Sequence, residues 1–272
     1  MIGSNEKGFT LVELVTVIIV LGVLAAGVSS FLKFGSQIFV EANSRDQLIS
    51  SARFAVERLN REIRSAVPNS IRTQNSADES IKCIEFMPFV ASASYLDIPV
   101  APEPNSNQIS VVAFDDSDFG TDLSAVVYAT SPNDVYSGAS NHIVELANTA
   151  INKAGNVWGI TLSSSTRFAS DSPTSRVYFI EQATSFCIDA SGEMRRFSGY
   201  TTDASGIPTP YANGVLMAEN ILFQDENSDD IDFFTVSQAT LQRNGQVIVF
   251  LQFGSNEERI SFNNEVQVPN VP

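Results

Sequence analysis

Residues 9–32 read FTLVELVTVIIVLGVLAAGVSSFL, and the only charge among them is Glu13. As an α-helix at about 1.5 Å per residue this run is about 36 Å long. The hydrocarbon core of a bilayer is about 30 Å thick, so the segment is long enough to span it. Lys7 precedes the run and Lys33 follows it. A helix that is apolar on every side has to be covered by lipid or by other chains. Two ordinary readings exist. One is a cleaved secretory signal, with Ala25 and Gly27 at the −3 and −1 positions of the cut. The other is a plain N-terminal anchor. The run is longer than a usual signal core, and a carboxylate costs about 2.5–3.5 kcal/mol near the bilayer centre on insertion scales. Neither reading explains why Glu13 is there.

The octapeptide KGFTLVEL, Lys7 to Leu14, resembles the class III signal of type IV prepilins and type II secretion pseudopilins. That pattern has Gly, then Phe, then an acid at the fifth mature position, then an apolar helix. The resemblance implies that residues 1–8 are a leader, cut by a prepilin peptidase between Gly8 and Phe9. It also implies N-methylation of Phe9 and retention of residues 9–32 as a transmembrane and filament-core helix. Glu13 would then face the α-amino group of Phe9 in a neighbouring subunit, because a buried charge is tolerated only when it is paired. The same resemblance implies a single pass through the inner membrane with a periplasmic head, followed by entry into a filament with other major and minor pilins. One position departs from the pattern of major pilins: Ser30 stands where they often have proline. That favours a minor subunit.

From Ser36 to Val67 the sequence stays helical. Leu48, Ala52, Ala55, Leu59, Ile63 and Ala66 recur at spacings of three and four and make one apolar face. Arg58 and Glu62 stand four apart, as do Glu57 and Arg61. Pro68 is the expected stop. Residues 33–67 are therefore read as an amphipathic continuation of the pilin helix. From Lys33 to Arg72 there are seven basic and four acidic residues; beyond Arg72 there are eight basic and 25 acidic. A mildly basic stem thus carries an acidic head, and so acidic a chain is unsuited to nucleic acid.

Residues 68–272 read as a β-rich globular head. Candidate strands cover 109–116, 125–131, 142–148, 157–165, 175–189, 214–224, 246–254 and 259–268, all rich in β-branched and aromatic residues. Turns are expected at Ser191–Gly192 and Asn244–Gly245. The fold class is α+β: a long N-terminal helix, half transmembrane and half amphipathic, packed on a C-terminal β head. The two cysteines, Cys83 and Cys187, read first as one disulfide if the head is exported, and otherwise as two buried thiols. The stretches 51–72 and 83–96 and the closing EVQVPNVP resemble minor pilin-like subunits of the mannose-sensitive haemagglutinin (MSHA) pilus. They are more distantly similar to the J-type minor pseudopilins of type II secretion. The likeness is weakest from Asp97 to Asp171, where a ligand-binding tip adhesin would carry its site.

Little in the chain points to catalysis. His142 is the only histidine, and no G-x-S-x-G, P-loop, dinucleotide or zinc pattern occurs. No cofactor is expected, and the chain is not read as an enzyme. Asp225, Asn227 and Asp229 in DENSDD match the start of a calcium loop. Asp230 stands where such a loop wants glycine and Val236 where it wants glutamate. The alternatives are a Ca²⁺ loop of another kind and a solvated acidic turn.

Overall fold

The computed structural model describes residues 8–117, 119–148, 151–207, 214–240, 243–255 and 258–268. The chain divides into two compact units, 1–50 and 51–272. Helix α1, Leu11–Arg64, begins in the first and ends in the second. In the first unit the helix is exposed on every side from residue 11 to residue 43, and Leu11 and Phe31 are each about three-quarters exposed. Leu11–Arg64 contains a span long and apolar enough to cross a membrane, none of which is buried against the rest of the chain.

In the second unit the last turns of α1 bury Ala52, Ala55, Leu59 and Ile63, the face expected from their spacing, together with Val56 beside it. The opposite face stays open, with Arg53, Phe54, Glu57 and Arg61 exposed. The helix stops at Arg64, three residues before the expected Val67. Ser65–Val67 are taken over by strand-like pairing: Val67 N donates to Met87 O and Phe89 N to Ser65 O. Pro68 is thus not the first obstacle the helix meets.

The strands follow in chain order: β1 (Arg72–Asn75), β2 (Ile81–Phe86), β3 (Phe89–Asp97), β4 (Ser106–Val112), β5 (Ser124–Val127), β6 (Ile143–Glu145), β7 (Asn152–Ala154) and β8 (Val157–Thr166). Then come β9 (Arg176–Ile180), β10 (Thr184–Asp189), β11 (Met194–Ser198), β12 (Val215–Ala218), β13 (Phe234–Ser237), β14 (Gly245–Ser255) and β15 (Glu258–Val268). A short helix α2, Pro132–Tyr136, lies between β5 and β6. The sequence reading joined β9 and β10 into one strand. In the structure the chain breaks at 181–183 and the two strands enter different sheets. Strands β13 and β14 pair as a hairpin, but Thr240 bridges Arg243 and Gly245 already belongs to β14, so the turn expected at Asn244–Gly245 does not lie there; residues 241–242 are outside the described residues.

All three sheets are antiparallel. The first has the order β1-β2-β10-β11-β12. Its even-numbered positions Ile84, Phe86, Phe186 and Arg196 share one face, the one on which Arg196 meets Glu62 of α1. Cys83, Glu85 and Cys187 lie on the other face. The third sheet, β13-β14-β15, buries Val247, Val249, Leu251 and Phe253 on alternate positions of one strand. It is tied to the first by the segment after β12: Ile221 N donates to Gly192 O, and Leu222 N to Gln252 O.

The second sheet has the order β6-β5-β9-β3-β4-β8-β7. Its ends meet, because Leu146 just past β6 pairs with Leu162 of β8, and Ala147 N donates to Thr161 O at 2.9 Å. Strands β6-β5-β9-β3-β4-β8 therefore come round into a six-stranded barrel, closed between β6 and β8 by this one bridge. Inward positions Ala91, Ala93, Ile109, Val111, Ala125, Val127, Val177 and Phe179 fill it, small residues opposite large ones. Outward positions Val126, Tyr178 and Ile180 pack instead against Val67, Met87 and Tyr136. The barrel occupies Phe89–Ile180 and is inserted between β2 and β10, which are neighbours in the first sheet.

The β10–β11 turn shows how tightly the pieces meet. Gly192 has φ +82°, and a Cβ there would stand 2.5 Å from the carbonyl oxygen of Ile221. Gly192→Ala should therefore destabilise the protein by about 1–3 kcal/mol in denaturant unfolding, from the left-handed backbone and the clash together. A change below about 0.5 kcal/mol, the ordinary surface range, would contradict this packing.

Candidate assembly interface

The N-terminal site is assembled by the first turn of α1. Gly8 and Phe9 precede the helix outside regular structure, and Phe9 is about three-quarters exposed. Thr10 caps the helix. Its Oγ1 accepts the Glu13 amide at 3.4 Å, and its carbonyl accepts the Glu13 and Leu14 amides. Thr10 and Glu13 therefore have the spacing of a capping box, and Glu13 is the acidic residue of the first turn, where the helix dipole favours a negative charge. The sequence reading missed this local role, although the T-x-x-E spacing carries it. The cap accommodates an acid at this end of the helix. It supplies no counter-charge for the carboxylate in an apolar setting.

The cysteines are brought together by sheet register. Cys83 of β2 lies directly opposite Cys187 of β10 with Cα atoms 4.1 Å apart, and the two form a disulfide. It ties the two strands between which the barrel is inserted.

Beside the disulfide, on the same face, is a charged cluster that the sequence did not reveal. The fully buried Glu85 carboxylate accepts Arg72 Nε at 2.5 Å and the Tyr200 hydroxyl at 2.5 Å. The Arg72 guanidinium stacks 3.7 Å over the Tyr136 ring and donates to the carbonyls of Asp203 and Gly206. The cluster thus fastens the segment 200–206 across the sheet. On the other face, buried Lys82 donates to Ile231 O at 3.0 Å and lies over the rings of Phe223 and Phe233. A second charged group joins α1 to the sheet, where Glu62 accepts both Arg58 and Arg196.

Asp225, Asn227 and Asp229 lie together in a turn after β12, where the Asp225 carboxylate is turned on the turn's own backbone. Asp225 Oδ1 accepts the amides of Asn227 at 2.7 Å and Asp229 at 3.0 Å, and these bonds hold its carboxyl below the usual carboxylate range. No set of three or more His, Cys, Asp and Glu side chains converges on an ion position among the described residues. His142 is half-buried beside the β5–β6 pair, with Nδ1 3.0 Å from Val127 O and its amide donating to Ser140 Oγ at 3.4 Å.

The prokaryotic N-terminal methylation motif matches residues 3–29. No curated protein and no solved structure matches the chain. The motif, the apolar helix behind it and the β head together support a type IV pilin-like protein. The motif implies processing by a prepilin peptidase and assembly with other pilins.

Removing Arg72 would leave Glu85 buried without its cation. Arg72→Leu should cost about 3–5 kcal/mol in denaturant unfolding, and adding Glu85→Leu should recover part of that loss. Equal losses in the single and double variants would contradict the pairing. Burial, and then the neighbouring Glu85, pushes the Tyr200 phenol upward, and burial does the same to Tyr136 and Tyr178. Burial and the hydrogen bond to Asp171 raise Tyr95 to about 12. Below the ordinary value of 10.0 both folded and unfolded chains hold these protons. Above it only the unfolded chain releases them, so stability is lost as pH rises from 10 to about 12. Phenolate absorbance should rise together with unfolding in that window; full tyrosine ionisation with the fold intact would contradict the burial.

Proposed function

We propose that the chain is a minor subunit of a type IV pilus of the MSHA kind, made as a prepilin and drawn from the inner membrane into the filament, where it helps to start assembly at the tip. The observation that carries this reading is Glu13, the only charge in residues 9–32, placed five residues after Gly8 and capped by Thr10. Cutting between Gly8 and Phe9 creates an α-amino group on Phe9. In the apolar setting of packed helices, that cation on one subunit and the Glu13 carboxylate on the next relieve each other's desolvation and fix the axial register. The all-round exposure of α1 from residue 11 to 43 fits a segment that passes from lipid to packed helices without refolding. The periplasm suits the Cys83–Cys187 disulfide. The partners are a prepilin peptidase and other major and minor pilins. A J-type pseudopilin role in type II secretion uses the same N-terminal chemistry.

A second reading is favoured by the inserted barrel, which the helix does not need for its own covering: the head of a tip subunit that binds a surface ligand. Deleting the gene separates the two. Loss of pili supports the assembly role, and normal pili that fail to adhere support the adhesin.

Glu13→Ala should leave cleavage after Gly8 intact, because the cut bond and its flanking residues are unchanged. It should reduce incorporation into sheared filaments by roughly tenfold or more, as expected when a buried cation loses its partner. Immunoblots of membrane and sheared fractions measure both. Normal incorporation of the variant would contradict the pairing.

A further inference from the structure

Where β6 leaves β5 and crosses to β8, the barrel opens. The ring is held there by the single Leu146–Leu162 bridge and the Ala147–Thr161 bond. The loop from β4 to β5 folds back over this end. Phe114 stacks on Phe179 with centroids 5.3 Å apart, and Phe119 meets the same ring edge-on at 5.1 Å. Together they leave a cleft of about 320 Å³ in the barrel mouth.

The floor and the rim of this cleft differ in chemistry. The floor is apolar, made by Phe119, Leu123, Leu146 and Ile160. The rim carries Asp116, Lys153, Asp122 and Asn148. These groups are held in place by one another. Lys153 pairs with Asp116, and Asn148 Nδ2 donates to Asp122 Oδ1 at 3.0 Å while its own Oδ1 accepts the Asp122 amide at 3.1 Å. The rim thus presents carboxylate acceptors and ammonium and amide donors over a floor of apolar side chains.

We propose that this mouth binds one pyranose unit of a neutral glycan. A pyranose ring has a C–H face that suits Phe119 and the aliphatic floor. Its hydroxyls each donate and accept, which suits a rim of mixed donors and acceptors. The two carboxylates disfavour an anion such as a phosphate. A long acyl chain has nowhere to go, because Ile109, Val111, Phe168 and Phe179 already fill the barrel below. The site is built entirely within the insertion and shares no residue with the N-terminal assembly site; it rests on the second reading above, the ligand-binding head, and not on the filament reading.

Trp158 provides the readout. It is the only tryptophan in the chain, its ring lies 5.0 Å from Lys153 Nζ and its centroid 5.1 Å from that of Phe114. The full chain, purified in a non-glycosidic detergent, is titrated with glucose, galactose, mannose and their N-acetylamino forms while Trp158 emission is followed. At least one should give a saturable change. Asn148→Ala and Lys153→Met, both at exposed positions, should keep the melting temperature and raise that Kd by roughly tenfold or more. Incorporation of both variants into filaments should be unchanged, so a failure here is distinguishable from a failure of the filament reading. No saturable change with any of the six sugars would overturn the proposal. So would equal affinity in folded variants, or saturation by spermidine or a basic peptide in place of sugar.

Discussion

The pairing of β2 with β10 is the contact on which the head depends. These strands are far apart in the chain, yet they sit side by side with Cys83 opposite Cys187. Closing so long a loop is entropically costly, and the disulfide removes much of that freedom from the unfolded chain, by about 4–5 kcal/mol in the chain-entropy description. Each side of the pair then has its own cover. One face presents Ile84, Phe86 and Phe186 on the side where Glu62 of α1 holds Arg196, and the other is crossed by the segment 200–206. Between the two strands hangs the whole barrel.

This arrangement separates two tasks physically. The barrel has a filled interior of its own and leaves the first sheet through two short connectors, Met87–Pro88 and 181–183. Its outward residues Val126, Tyr178 and Ile180 make a second, smaller apolar contact with Val67, Met87 and Tyr136. Changes at the barrel mouth therefore need not propagate to the helix. Changes at Arg72 or Glu85 act on the sheet that carries α1, because both charges are committed to holding that sheet's cover in place.

What was legible in the sequence follows from the range of the interactions involved. The helix could be read because its signals are local: an apolar run, Glu13 in the first turn, and a three-and-four spacing through Ile63. The β head and the turn at Gly192 were legible for the same reason. The barrel was not, since its closure rests on Leu146 meeting Leu162 and on β9 pairing with both β3 and β5, none of which leaves a local pattern. Lys82 and Glu85 of IKCIEF are three apart and point to opposite faces of β2. In the structure both are buried, each satisfied by groups far away in sequence: Ile231 for Lys82, Arg72 and Tyr200 for Glu85. The early end of α1 was hidden likewise, because the amide of Val67 and the carbonyl of Ser65 are claimed by the β2–β3 junction.

The central claim is that Glu13 belongs to an assembly helix that starts at a newly made Phe9 amine. Mass spectrometry of the N-terminal peptide of the chain recovered from cells tests this directly. The account predicts a peptide that begins at Phe9 and carries one added methyl group on its α-amine. A mature chain that begins at Val28, after a cut at Gly27, would mean that residues 9–27 are discarded, and would contradict it.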